Sequence, residues 1–358
     1  MLPGFEIDFL PVGTGERAGD AIVLRYGDLF GSRQAQRVVV VDGGFGDTGQ
    51  NVVDFVRANY RTDTVDTVVS THPDSDHSAG LAVVLEQLKV GRLWMHLPWN
   101  HTDDMARMFR DGRVTDESVS VGLRRALDDA RDLERIATPR GISIVEPFAG
   151  VGDGAGLVVL GPTQPYYESL LPHFRSTPEP RRTLAAILGI AGEAESVFES
   201  LAFETLTDEG QTSAENNSSV ILWLSIGDKN ALLTGDAGVP ALTNALGLLD
   251  YTTIPNRVQF SFVQVPHHGS RRNVGPTILN RMVGEPIGAD VARTTAFVSS
   301  PLAATTKHPS KRVTNAFRRR GALVHGTSGV AKRHAHNAPG RAGYGASIPI
   351  PFHACFEE

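Results

Sequence analysis

Cysteine is almost absent: Cys355 is the only one in 358 residues. A lone cysteine excludes a disulfide within the chain and any site built from several thiolates. This scarcity points to a reducing compartment, the cytoplasm. Long apolar runs are missing too. The longest uncharged one, residues 184–192, is too short to cross a bilayer. The first six residues show no basic stretch followed by an apolar one, so no signal peptide is expected. Acidic residues are missing from one region. Residues 291–356 contain none, yet they carry Arg293, Lys307, Lys311, Arg312, Arg318, Arg319, Arg320, Lys332, Arg333 and Arg341. The net charge of −6 is therefore unevenly spread. Such asymmetry suggests a face that meets a polyanion; the alternative is a basic surface balanced in space by acidic residues.

What is present is ordinary for a soluble globular chain: 41% hydrophobic and 21% charged residues. The length suits one large α/β domain or two small ones. Apolar, β-branched runs predict strands over 5–12, 20–26, 37–41, 65–70, 91–97, 142–145 and 157–160. Helical patterns cover 48–59, 79–89 and much of 101–137. Residues 163–215 are interrupted by proline and read as an insertion or lid. Strands resume at 218–226 and 230–235, a hairpin across Gly227-Asp228, and again at 260–265, 294–299 and 322–324, with a helix over 310–320. The tail, 331–358, is weakly patterned, and Ser347 to Phe352 reads as an edge strand. The order predicts a mixed sheet covered by helices.

One stretch concentrates chemistry. Directly after strand 65–70 come His72, Asp74, Asp76 and His77, four ligand-type side chains in six residues. Burying two carboxylates at a strand end demands positive compensation, and a metal ion supplies it. Imidazole with carboxylate suits zinc, manganese or iron. Three further strands end in the same way: at Asp42, at Asp236 and at His267-His268. Strand ends on one edge of a sheet can converge. The six potential ligands His72, Asp74, Asp76, His77, Asp236 and one of His267 and His268 are enough for two ions sharing a carboxylate, an arrangement that activates water for hydrolysis.

His72-Pro-Asp-Ser-Asp-His77 resembles the signature of the metallo-β-lactamase superfamily in its H-x-D-x-D-H form. Val41-Asp-Gly-Gly44, Leu233-Thr-Gly-Asp236 and Pro266-His-His-Gly-Ser270 fall in that superfamily's order. The opening Gly19-Asp-Ala-Ile-Val23, Asn217-Ser-Ser-Val220 and the late His308-Pro309 are most similar to the hydrolase domain of ComEC-type DNA-uptake proteins. The resemblance covers roughly residues 5–330. It implies a four-layer αββα sandwich over 1–330, with a partly helical insertion at about 100–215, and a metal-dependent hydrolase. It implies one ion on His72 and Asp74, another on Asp76, His77 and one histidine of the 267–268 pair, and Asp236 as the bridge; His267 is favoured as the nearer to the strand end. The ions would be zinc or manganese, with magnesium also admissible. Asp42 would order the ligand loop, and Asp74 or Asp76 would also orient the attacking water. His268 would serve substrate or proton transfer.

The chain departs from the superfamily pattern at Asp74 and Asn217, where many members have histidine, so the first site has fewer nitrogen ligands. Substrate contacts are expected from Asn217, Arg271, Lys307 and His308, since Arg and Lys at the mouth of a metal site suit phosphate oxygens. His308 is a candidate to touch a phosphate oxygen or to protonate the leaving oxygen. The expected reaction is phosphodiester hydrolysis with nucleic acid as partner. Hydrolysis of a small ester, lactone or thioester is the alternative, and a non-catalytic effector subunit with a protein partner is a third reading. Asp20 reads as a turn residue, and His334 and His336 read as bland tail histidines.

Overall fold

The computed structural model describes residues 2–15, 17–180, 196–252, 258–287, 291–302 and 307–357. Two sheets lie face to face. The first has seven strands. β1 (Gly4–Phe9), β2 (Ala21–Gly27) and β3 (Gln36–Gly43) pair antiparallel, and β4 (Thr64–Val69), β5 (Lys89–Trp94) and β6 (Ser143–Val145) continue parallel to β3. The second has six. β7 (Leu157–Gly161), β9 (Ile221–Ile226) and β10 (Lys229–Leu233) pair antiparallel. β11 (Phe262–Gln264), β12 (Thr294–Val298) and β13 (Ala322–Gly326) run parallel to β10. The two-residue turn at Gly227-Asp228 closes the β9–β10 hairpin, and Gly227 takes a φ of 61° there.

Period-two alternation decides what faces what. Phe5, Ile7 and Phe9 of β1 meet Leu222, Phe262 and Phe297 in one core between the sheets. The Phe9 ring stands edge-on to Phe262 and Phe297, with centroids 5.9 and 5.5 Å away. Helices cover the two outer faces. α1 (Gly49–Phe55), α3 (Leu81–Gln87) and α5 (Asp128–Ala137) pack a second core on the first sheet. The pattern in 101–137 resolves into a short 3₁₀ turn at Met105–Met108, α4 (Asp116–Ala126) and α5, and α6 (Gln164–Leu170) lies in the insertion. On the second sheet, α8 (Val239–Thr252), α9 (Pro276–Val283) and α10 (Lys311–Arg319) build a third core. The sequence reading did not anticipate α8, although Ala241, Leu242, Ala245, Leu246 and Leu249 mark its buried face at helical spacing. The result is the expected αββα order of layers.

The tail corrects one expectation. The edge strand is β14 (Lys332–His336), antiparallel to β1, rather than Ser347 to Phe352. The later stretch gives one backbone bond, from Ile350 to Val324 at 2.7 Å, before β15 (Cys355–Glu357) pairs with β8 (Ser196–Phe198). His334 in β14 stacks on Phe262, centroids 4.9 Å apart, so it is a packing residue. The apolar run 184–192 lies outside the described residues.

Ion pairs hold the tail. Glu6 and Asp8 on β1 are fully buried. Arg25 and Arg341 reach Glu6 at 2.8 and 2.9 Å, Arg341 reaches Asp8 at 2.6 Å, and Arg333 also pairs with Glu6. Buried Arg319 and Arg320 pair with Glu199 and Glu204 at 3.1 and 3.0 Å. At least four of the ten cations in 291–356 are thus engaged internally, as a buried charge requires. To that extent the asymmetry is balanced in space and is not a free basic face.

Candidate metal centre

Topology gathers the site. Strands β3, β4, β10, β11 and β12 are parallel to a neighbour, so their carboxyl ends share an edge, where open α/β sheets place ligands. β2 and β9 run antiparallel, so the residues that precede them reach the same edge. Asp42 ends β3, the 72–77 loop follows β4, and Asp236 follows β10. His267-His268 follows β11, and Asp20 and Asn216-Asn217 precede β2 and β9. Close backbone contact seats the loop. A Cβ on Gly19 would lie 2.3 Å from the Asp76 carbonyl oxygen, and one on Gly80 would lie 2.0 Å from that of Gly43. Asp76 and His77 sit in the one-turn helix α2 (Ser75–Ser78).

His77 is fully buried, and its Nε2 lies 3.4 Å from Asp236 Oδ1 and 3.8 Å from Asp76 Oδ2. His268 Nε2 is 3.6 Å from Asp76 Oδ2, and His72 Nε2 is 3.9 Å from both Asp74 Oδ2 and Asp236 Oδ2. The nitrogen and oxygen atoms of His72, His77 and Asp236 fall within 4.8 Å of one another, as do those of Asp76, His77 and His268. His72 Nε2, His77 Nε2, His268 Nε2 and Asp236 Oδ1 are buried and hydrogen-bond to nothing in the protein. Buried polar atoms are nearly always satisfied. Here they converge on common points, as an ion would require, so these residues fit a divalent metal.

Asp42 sets the imidazole tautomers. Its Oδ1 accepts from the Thr71 N–H at 2.8 Å; its Oδ2 accepts from the Thr71 hydroxyl at 2.7 Å and from His77 Nδ1 at 2.8 Å. His77 Nδ1 therefore carries a proton, which leaves Nε2 as the nitrogen aimed at the centre. Because the Thr71 hydroxyl donates to Asp42, it must accept from His72 Nδ1, 3.1 Å away, which frees His72 Nε2 as well. One carboxylate thus orients two candidate ligands. Asp20 is a buried member of this shell. It accepts from Gln264 at 2.7 Å and from Ser299, and lies 3.9 Å from His77 Nδ1.

The His267-His268 pair shows an unexpected division. The sequence reading put His267 with Asp76 and His77, but the structure groups His268 with them. His267 points its Nε2 at Asp236 Oδ2, 3.5 Å away, and keeps a 30% exposed side chain on the cleft. The reason is local. Both residues are left-handed, with φ of 46° and 52°, and two consecutive reversals turn the second imidazole inward. Asn273 and Asn216 hold His267 Nδ1 at 3.1 and 3.0 Å.

The electrostatics follow the carboxylates. Burial opposes the charged form of His77, yet Asp236, Asp76 and Asp42 push its pKa well above normal. Burial likewise opposes charge on His268, but Asp236, Asp76 and Asp20 carry it to about 9. Burial lowers His267 and takes His308 down to about 4. His308 is therefore a neutral imidazole near pH 7.

Beside the cluster opens a polar cleft of about 340 Å³, which Asp74, Asp76, Asp236, His267, Asn216 and Arg272 help to line. Arg271, an expected substrate contact, does not line this cleft; its neighbour Arg272 does. Asn216 faces it, whereas Asn217 donates to the Ser213 carbonyl at 3.1 Å. Lys307 is exposed outside it. His308 lies parallel to His267, centroids 6.3 Å apart, and borders a neighbouring pocket with Lys311 and His353. Arg175 was not foreseen: it reaches Asp74 from the insertion. Trp94 and Trp99 are core residues. His96 stacks on Tyr167 at 4.3 Å, and His101 bridges Glu146 and Glu168 at 3.0 Å each.

Such a histidine–aspartate cluster at one edge of an αββα sandwich is a candidate site for a divalent ion. The family model described as the metallo-beta-lactamase superfamily matches residues 29–282. The chain belongs to that superfamily, whose members are mostly metal-dependent hydrolases. No curated protein matches it in sequence. Among solved structures, a metallo-beta-lactamase from Hirschia baltica is 14% identical; the match covers 77% of this chain and 95% of that one, with a TM-score of 0.32. A diphosphatase of the PhnP family is 10% identical over 94% of this chain and 99% of that one, with a TM-score of 0.39. These likenesses carry no argument about substrate. Among the described residues no helix is long and apolar enough to cross a membrane.

Proposed function

We propose that the chain is a metal-dependent phosphodiester hydrolase of the ComEC-like kind. The observation that carries this reading is the cleft: a histidine–aspartate cluster on one wall, with Arg175 and Arg272 lining the same space. Arginine matches the paired oxygens of a phosphate better than it matches a lactam or a thioester. Asp76, His77, His268 and Asp236 would hold the ion, with His72 on the other side of Asp236. A bound divalent ion supplies charge stabilisation at the phosphoryl oxygens and lowers the pKa of a coordinated water.

The chain's own residues do the rest. Asp42 keeps the lone pairs of His72 and His77 aimed into the centre. Asp74 or Asp76 orients the attacking water beside the centre. Arg272 and Arg175 place the phosphate. His308, neutral at pH 7, donates or accepts a hydrogen bond at the phosphate or leaving oxygen; it is a poor source of a proton there. Nucleic acid remains the first candidate substrate. A compact diester is the second reading, favoured by the internal pairing of four C-terminal arginines and by a cleft of small-ligand size.

The test uses chelator-stripped protein with zinc, manganese or magnesium restored one at a time. Labelled single- and double-stranded DNA and bis-para-nitrophenyl phosphate are the substrates. Metal-restored cleavage that Asp236→Ala abolishes, with the fold intact by circular dichroism, supports the reading. Full activity of Asp236→Ala would sink it. Cleavage of the small diester alone selects the compact substrate.

A further inference from the structure

Arg175 lies just past the short 3₁₀ turn Leu171–His173 of the insertion and reaches across to the ligand loop. Its Nη2 donates to both oxygens of Asp74, at 2.6 and 2.8 Å. Its Nε lies 3.2 Å from buried Glu215. The guanidinium is thus held by two carboxylates while its outer side faces the cleft. The Asp74 oxygen nearest His72 Nε2, at 3.9 Å, is one of the two that Arg175 occupies. Asn217 gives its amide nitrogen to the Ser213 carbonyl, and its Oδ1, buried without a hydrogen bond, lies beside Gly238. The other half has Asp76, His77 and His268 close together, with Asp236 3.4 Å from His77, and among the described residues no guanidinium pairs with any of them.

We infer that Arg175 stands in for one of two ions. It neutralises Asp74 as a fixed cation, so the chain holds one tightly bound divalent ion, on the Asp76–His77–His268–Asp236 side. The remaining donors of Arg175 make the Asp74 side a contact for a substrate anion. The inference rests on the metal-centre reading and refines it. Like charges at this range repel, so the guanidinium on Asp74 weakens the hold of an ion on the same carboxylate. The insertion therefore sets the metal content of the centre, and it does so through one side chain.

The experiment is ion stoichiometry and affinity, by mass spectrometry after dialysis and by calorimetry with manganese and zinc. It compares the full-length wild type, Arg175→Gln and Arg175→Lys. Arg175 is 65% exposed, so neither variant threatens the fold. The wild type is expected to hold one tight ion, with any second ion roughly 100-fold weaker. Arg175→Gln should hold two ions of similar affinity, and Arg175→Lys should behave as wild type. Two equally tight ions in the wild type, or one tight ion in Arg175→Gln, overturns the inference and leaves the metal-centre reading standing. No ion bound by any form overturns both.

Discussion

Asp42→Asn should uncouple ligand orientation from folding. Asparagine tolerates the left-handed backbone of this position, φ 57°, so the main chain is undisturbed. The Thr71 N–H at 2.8 Å requires an acceptor at the Oδ1 place, which forces the new amide nitrogen into the Oδ2 place. There it must donate where the carboxylate accepted. His77 Nδ1, 2.8 Å away, has to give up its proton to Nε2. The Thr71 hydroxyl, 2.7 Å away, turns to donate to His72 Nδ1, which moves that proton to Nε2 as well. Both lone pairs leave the centre. Loss of one such supporting contact typically costs about 10–100-fold in metal affinity. With two histidines reversed, a loss of about 100-fold or more is expected, about 2.8 kcal/mol. Competition titration against a calibrated chelator measures it. Urea unfolding of the metal-free variant should stay within about 1 kcal/mol of wild type, because each polar atom keeps a partner. Unchanged metal affinity in Asp42→Asn would refute the tautomer argument.

Further outcomes follow from the same geometry. His101 lies between Glu146 and Glu168, and the Glu146 hydrogen bond, the largest cause, raises its pKa above 6.5 despite burial. Its stabilisation is therefore complete below the unfolded value of 6.5 and is lost as pH rises through the folded value. Unfolding free energies from urea titrations at pH 6 and pH 9 should differ by about 1–2 kcal/mol more in wild type than in His101→Gln; equal pH dependence would remove the clamp from consideration. Arg319→Ala leaves Glu199 buried without its cation and should cost about 3–5 kcal/mol. Exposed Arg293→Ala should fall within about 0.5 kcal/mol of wild type by the same denaturation. If the substrate is a polynucleotide, log affinity should fall against log salt with a slope of about −0.9 per phosphate neutralised. A flat response in a filter-binding titration selects the compact diester.

Several features of this protein were legible in its sequence because they are local. Strand 65–70 and the four ligand-type residues after it need only period-two patterning and short spacing to be seen. The same holds for Asp42, Asp236 and the 267–268 pair, each set directly at a strand end. Since parallel strands deliver their carboxyl ends to one edge, the order of elements already implied convergence. Contacts made far along the chain were not legible. Arg175 meets Asp74 across 101 residues, from an insertion whose pattern gave no hint of its partner. The choice between His267 and His268 turned on two left-handed residues, which no spacing encodes. Whether the basic tail meets a polyanion or is balanced in space was open in the sequence, because charge in a sequence carries no partners; folding paired Arg319, Arg320, Arg333 and Arg341 with Glu199, Glu204, Glu6 and Asp8. Sequence determined which chemistry gathers at the sheet edge, through residue type and local periodicity. Tertiary structure decided which of those groups face the centre and which cations remain for a substrate, because those outcomes depend on long-range packing and on the cost of burying an unpaired charge.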